Sequence, residues 1–353
     1  MASKIKVLVV DDSAFMRKVI ADILNSDDKI EVVDTAKNGT EALEKIKSLK
    51  PDVVTLDVEM PVMDGLSCLK EIMKSGFFPV LMLSSVTKEG ADSTIKALEY
   101  GAIDFITKPT NIFNIADDEK KQELIEKIKI AKNSTKIKKY LTLKDVQIRP
   151  KRDIVKSSNI KNIVAIGTST GGPKALQEVI PKIPGDVPAA FLVVQHMPPG
   201  FTRSLAERLN AMSELTVKEA EEGDELQAGY VYIAPGDYHM LVERSLTGII
   251  RIRLSKSPPS GGHRPSVNTM MESLSNTGMS NIIGVIMTGM GGDGSEGIKL
   301  LKSINKGFII AQDEKSCVVY GMPKVAIQTG AVDVIAPLKN ISDEIMKIIG
   351  GQK

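Results

Sequence analysis

The sequence predicts an α/β protein made of two doubly wound parallel-sheet domains. Short apolar runs alternate with segments whose apolar residues recur at helical spacing, which is typical of repeated β-α units. The chain has 353 residues, more than one ordinary domain needs. Because only 4% of the residues are aromatic and none is Trp, the cores must consist of Val, Ile, Leu, Met and Ala. Such cores suit parallel strands that are buried on both faces.

The first domain contains five predicted strands within about 110 residues. Apolar residues at helical spacing separate them, as Met16, Ile20 and Ile23 do after the first run. A charged segment of helical period, from about Asp117 to Lys139, closes the domain. Right-handed crossovers would bring all the strands into one parallel sheet. The predicted strands are Ile5–Val10, Ile30–Asp34, Val53–Asp57, Val80–Ser84 and Ile103–Ile106.

A basic and polar stretch, residues 132–159, predicts a flexible linker between domains at residues 1–131 and 160–353. Such a stretch could also bind nucleic acid or a membrane surface, but a solvated connector is favoured. Beyond it, the segments VYIAP, HMLVE and IIRIRL predict a short antiparallel excursion. Buried parallel strands are predicted at Ile163–Ile166, Ala190–Val194, Ile282–Met287 and Phe308–Ile310.

Composition excludes several functional classes. The net charge of +2 gives no electrostatic footprint for nucleic acid. Two cysteines, Cys68 and Cys317, fit neither a disulfide framework nor a metal-ligand spacing, so we expect buried thiols in a reducing compartment. The N-terminus does not read as a signal peptide, and no apolar run approaches the roughly 20 residues of a membrane helix. We therefore expect a cytoplasmic protein that is not inserted in a membrane.

Polar side chains follow the predicted strands of the first domain. Asp11 and Asp12 come directly after the first strand, and Asp57 ends the third. The carboxyl ends of parallel strands meet at one edge of a sheet, and three carboxylates there favour a hard cation such as Mg²⁺. Ser84 and Lys108 reach the same edge and could contact a phosphoryl group.

These residues lie in the segments VLVVDDS, VVTLDVEMPVMDG, PVLMLSS and DFITKP, and residues 4 to about 130 closely resemble the response-regulator receiver family. The resemblance implies a flavodoxin-like receiver that a histidine kinase phosphorylates with Mg²⁺ as cofactor. Ser84 stands where many receivers have Thr. The implied roles are phosphorylation at Asp57, Mg²⁺ binding by Asp11, Asp12 and Asp57, and switching by Ser84, Lys108 and Phe105. For Phe105, plain core packing is the alternative.

The second domain carries the residues of a serine hydrolase. Ser169 lies in GTSTG, a glycine-rich turn from a strand into a helix, which fits a nucleophile elbow. A capped glycine turn or a phosphate-binding loop is the alternative. Of three histidines, His196 directly follows a buried strand, so it is the favoured base over His239 and His263.

The residue that orients the base should be an aspartate at the end of another strand. Asp293, in the glycine-rich loop after Ile282–Met287, is the first candidate, and Asp313 is the second. The chain order Ser, His, Asp differs from the order of α/β-hydrolases, so an ordinary α/β-hydrolase fold is disfavoured.

The segments GTSTGGP, QHMPPGFTRSLAERLN, EGDELQAGYVYIAPGDYHM, HRPSVN, MTGMGGDG and AQDEKSCVVYGMP closely resemble the chemotaxis protein-glutamate methylesterase family, CheB, from about residue 160 onward. The resemblance implies a Rossmann-like catalytic domain. Because the sequence of this domain shows no Cys/His ligand cluster, we expect that it needs no metal. The resemblance makes Ser169, His196 and Asp293 the catalytic triad and places Thr170 and Met290 at the oxyanion. Asn268 departs from the family motif, which usually has Asp, and altered loop hydrogen bonding is expected.

The implied function is a phosphorylation-activated methylesterase that acts on methyl-accepting chemotaxis receptors and also deamidates receptor glutamines. A response regulator with a DNA-binding output domain is one rival, but residues 160–353 show no helix-turn-helix with a basic recognition helix. A receptor-binding adaptor without catalysis is another. The complete Ser, His and Asp set favours the enzyme.

Overall fold

The computed structural model describes residues 3–76, 78–108, 118–134 and 160–351. The chain separates into two compact units, residues 1–144 and 145–353. All but the first three residues of the predicted linker lie outside the described residues, as does the end of the helix predicted to reach Lys139. The bounds of the linker therefore stay a prediction.

The first unit contains a five-stranded parallel sheet in the order β2-β1-β3-β4-β5. The chain moves to one side of β1 for β2 and to the other side for β3, so the switch point of the sheet lies between β1 and β3. Every predicted strand is confirmed to within two residues at each end. The strands are β1 Ile5–Val10, β2 Ile30–Ala36, β3 Val53–Asp57, β4 Val80–Ser84 and β5 Asp104–Thr107.

Side-chain caps begin the helices between these strands. The Ser13 hydroxyl accepts a hydrogen bond from the Met16 N–H at the start of α1, and Asn38, Asp64 and Thr87 cap the next three helices in the same way. Each cap satisfies a backbone donor that the first helical turn leaves unpaired. The helices are α1 Ala14–Asn25, α2 Gly39–Leu49, α3 Gly65–Lys74, α4 Lys88–Tyr100 and α5 Asp118–Asn133.

The second unit contains a seven-stranded parallel sheet in the order β14-β13-β12-β6-β7-β9-β8. The four predicted strands are confirmed, and β6 and β7 are fully buried along their length. The sequence did not predict β8 and β14, which are short and partly exposed. The strands are β6 Asn162–Thr168, β7 Ala189–Gln195, β8 Thr216–Glu219, β9 Tyr230–Ile233, β12 Ile282–Ile286, β13 Phe308–Gln312 and β14 Val334–Ala336.

The predicted antiparallel excursion consists of two strands, β10 His239–Arg244 and β11 Ile250–Ser255, which pair with each other. The prediction that the segment VYIAP belongs to this excursion is wrong, because the segment forms β9, which pairs in parallel with β7 and β8. Its residues are almost all buried, whereas β10 and β11 expose part of their length. A short apolar segment such as VYI has the same pattern in a buried parallel strand as in a half-exposed antiparallel strand, so the sequence did not distinguish the two.

The helices of the second unit cover the faces of its sheet. Those that matter most for the site begin directly after glycine-rich loops at strand ends. None of the described helices combines the length and the apolar composition that crossing a lipid bilayer requires. The helices are α6 Gly172–Val179, α7 Phe201–Met212, α8 Val267–Ser275, α9 Ser295–Asn305, α10 Met322–Gln328 and α11 Ile341–Gly351.

Candidate functional sites

Three carboxylates converge at the switch point of the first sheet. Oxygen atoms of Asp11, Asp12 and Asp57 lie within 4.8 Å of one another. Asp11 and Asp57 are buried, whereas Asp12 is exposed. The Lys108 Nζ lies 2.8 Å from Asp11 Oδ2 and 2.6 Å from Asp57 Oδ2. The predicted strand-end residues are thus brought together in one acidic pocket with one ammonium group.

The electrostatics of this pocket favour a bound cation. Burial raises the pKa of Asp57 to about 6, although the hydrogen bond and charge of Lys108 act in the opposite direction. Burial opposes the charge of Lys108 as well, but its ion pairs with Asp11 and Asp57 raise its pKa. A single ammonium cannot balance three carboxylates, and an oxygen-only donor set fits Mg²⁺. The residues present therefore fit the metal that the sequence predicts.

The two remaining switch candidates lie beside this pocket. Ser84 is fully buried, and its hydroxyl contacts α4, 2.7 Å from Thr94 Oγ1 and 3.2 Å from the Gly90 carbonyl oxygen. Phe105 is also buried, and the Lys127 ammonium lies 5.6 Å from the centre of its ring.

In the second unit, the predicted catalytic side chains come from loops that follow three neighbouring strands. Ser169, His196 and Asp293 follow β6, β7 and β12, and β6 lies between the other two strands. The backbone joins their loops: the His196 N–H donates to the Thr168 carbonyl at 3.1 Å, and the Ser169 N–H donates to the Thr288 carbonyl at 3.0 Å. The chain moves from β6 to β7 on one side and later to β12 on the other. The three residues therefore lie at the switch point of the sheet, where open α/β sheets bind ligands.

His196 and Asp293 form a direct pair. His196 Nε2 lies 2.8 Å from Asp293 Oδ2. An ionised carboxylate can only accept, so Nε2 carries the proton and Nδ1 presents a lone pair. Nδ1 is buried and has no hydrogen-bond partner among the described residues. The pairing thus assigns the two ring nitrogens distinct roles, with Nδ1 as the atom that can take a proton.

Asp293 is held by the start of α8. Its carboxylate accepts hydrogen bonds from the Ser266 hydroxyl at 3.0 Å and from the N–H groups of Val267 and Asn268 at 2.7 and 2.9 Å. Burial works to raise its pKa, but the bond and charge of His196 and the backbone donors outweigh burial and lower it. Asp293 therefore stays a carboxylate, and it can orient and stabilise a protonated imidazole.

The Asn268 side chain supports the same loop. Its Oδ1 accepts from the N–H groups of Gly294 and Gly297, both at 2.9 Å, so it caps α9 from a neighbouring helix. An aspartate oxygen could accept the same two bonds. The uncharged amide instead avoids a second negative charge beside the Asp293 carboxylate.

The loop after β12 approaches the nucleophile closely. The Gly289 N–H donates to the Val319 carbonyl at 3.1 Å, and its carbonyl accepts from the Met322 N–H at 2.9 Å. A Cβ on Gly289 would lie 2.8 Å from Ser169 Cβ, so only glycine permits this approach. The N–H groups of Thr170 and Met290 have no hydrogen-bond partner in the described parts of the chain. Both could therefore donate to an oxyanion.

Sequence reasoning missed three residues that shape this site. Gln195, at the end of β7, donates from Nε2 to the carbonyls of Ser169 and His196. Thr288 donates from its hydroxyl to the Thr170 carbonyl at 2.9 Å. A polar residue that ends a fully apolar strand, as Gln195 does, was the only available signal, and it does not reveal a bonding partner.

The third is His263, whose ring stacks on that of His196 with centroids 3.9 Å apart. The sequence indicated it only as a less favoured base. His239 and Asp313 make different contacts: His239 Nε2 lies 3.1 Å from the Pro258 carbonyl oxygen, and Asp313 caps a short 3₁₀ turn. Asp293, not Asp313, is the aspartate that pairs with His196.

Known families match both units. A family model described as CheB methylesterase matches residues 164–345, and one described as response regulator receiver domain matches residues 7–118. A protein from Syntrophomonas wolfei, named protein-glutamate methylesterase/protein-glutamine glutaminase 1, is 50% identical over 349 residues, which cover 98% of this chain and 99% of that protein. A protein-glutamate methylesterase/protein-glutamine glutaminase from Halalkalibacterium halodurans is 51% identical over 347 residues, with the same coverage.

A solved structure agrees with these matches. The CheB methylesterase catalytic domain of Thermotoga maritima is 46% identical, with a TM-score of 0.51, and the match covers 54% of this chain and 97% of that domain. The relatives from Syntrophomonas wolfei and Halalkalibacterium halodurans match over 98% of this chain, which includes both units. The chain therefore belongs to the CheB methylesterase family and carries a response regulator receiver domain at its N-terminal end.

Proposed function

We propose that this chain hydrolyses the γ-methyl esters of glutamate side chains on methyl-accepting chemotaxis receptors, releases methanol, and also deamidates receptor glutamines. Relatives that match along nearly the whole chain carry both activities in their names. The observation that carries the proposal is the bond of 2.8 Å between His196 Nε2 and Asp293 Oδ2, which leaves Nδ1 without a partner among the described residues. The backbone of His196 is bonded to Thr168, the neighbour of Ser169. A serine hydrolase requires a base that is held in this way.

In the first half of the reaction, His196 Nδ1 takes the proton of the Ser169 hydroxyl while Ser169 Oγ attacks the ester carbonyl carbon. The N–H groups of Thr170 and Met290 stabilise the negative charge that forms on the carbonyl oxygen. Asp293 stabilises the imidazolium, because its lowered pKa keeps it ionised. His196 then gives the proton to the leaving methoxide, and methanol departs from an acyl-enzyme.

In the second half, water replaces Ser169 as the nucleophile. His196 Nδ1 removes a proton from the water molecule, the acyl bond breaks, and Ser169 regains its proton. The product is a glutamate side chain. When the substrate is a glutamine, ammonia takes the place of methanol in the first half, and the second half is the same.

The receiver would control this activity through phosphorylation of Asp57. Asp57 is the buried carboxylate at the switch point, and Lys108 lies 2.6 Å from it. Asp11, Asp12 and Asp57 would hold Mg²⁺, and the bound ion would supply positive charge to offset that of a phosphoryl group. Lys108 would pair with the phosphoryl oxygens, and Ser84 and Phe105 would relay the change. A chemotaxis histidine kinase is the proposed phosphodonor.

The proposed partners place the protein in the cytoplasm, beside receptors that are themselves in the membrane. The proposed domain bounds are residues 1–131 for the receiver and 160–353 for the catalytic domain, joined by the linker 132–159. Support comes from the family matches, which begin and end inside these bounds.

Methanol release from methylated receptor membranes tests the proposed function. Full-length protein treated with a small phosphodonor and Mg²⁺ should release methanol, and Ser169→Ala should lose the activity by several orders of magnitude while it still folds. Ser303→Ala, an exposed change on α9, is the matched control and should behave as the wild type. Normal turnover by Ser169→Ala would remove Ser169 as the nucleophile. Receptor binding without methanol release by the wild type would favour the adaptor instead.

A further inference from the structure

A second histidine contacts the proposed base. The imidazole rings of His196 and His263 stack with their centroids 3.9 Å apart and their planes at 15°. We propose that His263 is a positioning residue, which holds the His196 ring in the orientation that points Nδ1 toward the nucleophile. This inference rests on the proposed function, because it concerns the same base.

The stack supplies a restraint that the hydrogen bond lacks. The bond between Nε2 and Asp293 fixes one in-plane direction of the His196 ring, at 2.8 Å. It does not by itself fix the tilt of the ring about that direction, and a change of tilt would displace Nδ1. A flat ring in contact with the face of His196 opposes such a change. Two restraints in different directions together define the position of Nδ1.

His263 is itself held by a tight turn. The N–H and carbonyl groups of Ser260 and His263 bond to each other reciprocally, at 3.0 Å each. Between them, Gly261 and Gly262 have φ angles of 58° and 82°, which glycine adopts without strain. These two residues match the turn type that closes a two-residue hairpin. The turn therefore fixes the backbone of His263 independently of the contact between its ring and His196.

The next residue anchors the turn to the body of the unit. The Arg264 side chain contacts Asp237 Oδ1 at 2.5 Å, and it donates to the carbonyls of Lys256 and Ser257 at 3.1 and 3.0 Å. Asp237 has a lowered pKa, first because of its bond to Arg264, so the pair stays charged. An ordered Arg–Asp pair with additional carbonyl contacts is a rigid support for a neighbouring ring.

The same segment also holds the orienting aspartate. Three residues after His263, the Ser266 hydroxyl donates to Asp293, and the N–H groups of Val267 and Asn268 follow. One segment, 260–268, thus contacts the face of His196 directly and its edge through Asp293.

Kinetics on the full-length protein provide the first test, with methanol release as the assay and phosphodonor and Mg²⁺ present. His263→Ala should lower kcat about 10- to 100-fold and leave KM within about twofold, because the base is misplaced while receptor contacts persist. His263→Phe keeps a flat ring without ring nitrogens and should recover kcat to within about threefold of the wild type. Ser303→Ala, an exposed change on α9 outside this segment, is the control and should match the wild type.

NMR of the unliganded protein provides a second test that does not depend on the substrate. The chain has only three histidines, so each ring signal can be assigned by substitution. The nitrogen shifts of His196 should show a protonated Nε2 and a bare Nδ1 in the wild type. In His263→Ala, the ring protons of His196 should shift downfield as the ring current of His263 is lost, and the Nε2 proton should exchange faster with water. Thermal unfolding identifies any variant that does not fold.

Two outcomes would overturn the proposal. One is a folded His263→Ala protein with wild-type kcat. The other is a folded His263→Ala protein whose His196 signals are unchanged. If His263→Ala does not fold, a folded His263→Phe protein with kcat reduced 10-fold or more would also overturn the proposal. Failure of the proposed function would look different: the NMR shifts would follow the expectation, but neither the wild type nor any variant would release methanol.

Discussion

The side-chain nitrogen of Gln195 lies 2.9 Å from the carbonyl oxygen of Ser169, and the same nitrogen lies 3.2 Å from the carbonyl oxygen of His196. Its Oε1 accepts from the Thr168 hydroxyl at 2.6 Å. Gln195 is almost fully buried, so all these bonds form away from bulk water. One amide group thus joins the loop of the nucleophile to the loop of the base.

Gln195→Glu should separate the two loops without changing the size of the side chain. The carboxylate can still accept from Thr168, but it presents an oxygen to the two carbonyls that the amide nitrogen contacts. We expect kcat to fall at least about 10-fold, and we expect the free energy of unfolding to fall by about 1–3 kcal/mol. Methanol release and urea unfolding measure the two effects. Gln227→Glu makes the same change at an exposed position and should alter neither quantity.

Asp293→Asn should weaken catalysis by disturbing the tautomer of His196. An amide can present a donor to Nε2, which favours the ring form with its proton on Nδ1, where it cannot act as a base. We expect kcat to fall by about 10³-fold or more, but less than in Ser169→Ala. Initial rates of methanol release decide this, with Asp186→Asn as an exposed control. Equal rates for Asp293→Asn and wild type would exclude Asp293 as the orienting residue.

The lowered pKa of Asp293 also predicts a dependence of stability on pH. In the unfolded chain the pKa of this carboxyl is about 4, and in the folded protein its pKa is lower. Its contribution to folding is therefore fully present above the unfolded value and is lost as pH falls through the folded one. The difference in free energy of unfolding between wild type and Asp293→Asn should shrink below about pH 4. Urea titrations at several pH values measure it, and a difference that grows on acidification would contradict it.

Phosphorylation at Asp57 should both label the protein and activate it. With a small phosphodonor and Mg²⁺, the wild type and the exposed control Asp28→Ala should be labelled, and Asp57→Ala should not. Chelation of Mg²⁺ should abolish labelling. Phosphodonor should raise methanol release by the wild type but not by Asp57→Ala.

A fragment from about residue 150 onward should release methanol faster than the unphosphorylated full-length protein, if the receiver inhibits the catalytic domain. A fragment that is no faster would favour recruitment over inhibition by the receiver.

Lys127 should contribute more to the stability of the receiver than an exposed lysine on the same helix. Its Nζ lies 3.1 Å from Asp104, 3.0 Å from Glu123 and 2.7 Å from the Phe105 carbonyl oxygen. Burial opposes its charge, but the two acids raise its pKa. Lys127→Met leaves these acids without their cation and should cost about 3 kcal/mol or more of unfolding free energy.

The matched control for Lys127 is Lys121, whose ion pair with Asp118 is exposed. Lys121→Met should cost at most about 1 kcal/mol. Urea unfolding of a fragment of residues 1–134 measures both variants. Equal losses would show that burial of the Lys127 network adds nothing.

The sequence by itself determined the two parallel sheets and the strand ends that carry the chemistry. Fully apolar runs such as Ile163–Ile166 can only be buried, and the residue after such a run must reach the carboxyl edge of the sheet. This rule placed Asp57, Ser169 and His196 correctly, because it needs only the order of elements along the chain. The motifs around them identified the family.

The tertiary structure alone decided which side chains touch. Asp293 pairs with His196, and Asp313 does not, because β12 lies next to β6 whereas β13 is one strand further away. The sequence of neither loop specifies this strand order. Gln195 contacts Ser169 across 26 positions of the chain, and His263 contacts His196 across 67 positions. Local sequence encodes the propensity of each segment, but contacts between distant segments arise only when the sheet and its loops pack together, so no local pattern could have predicted them.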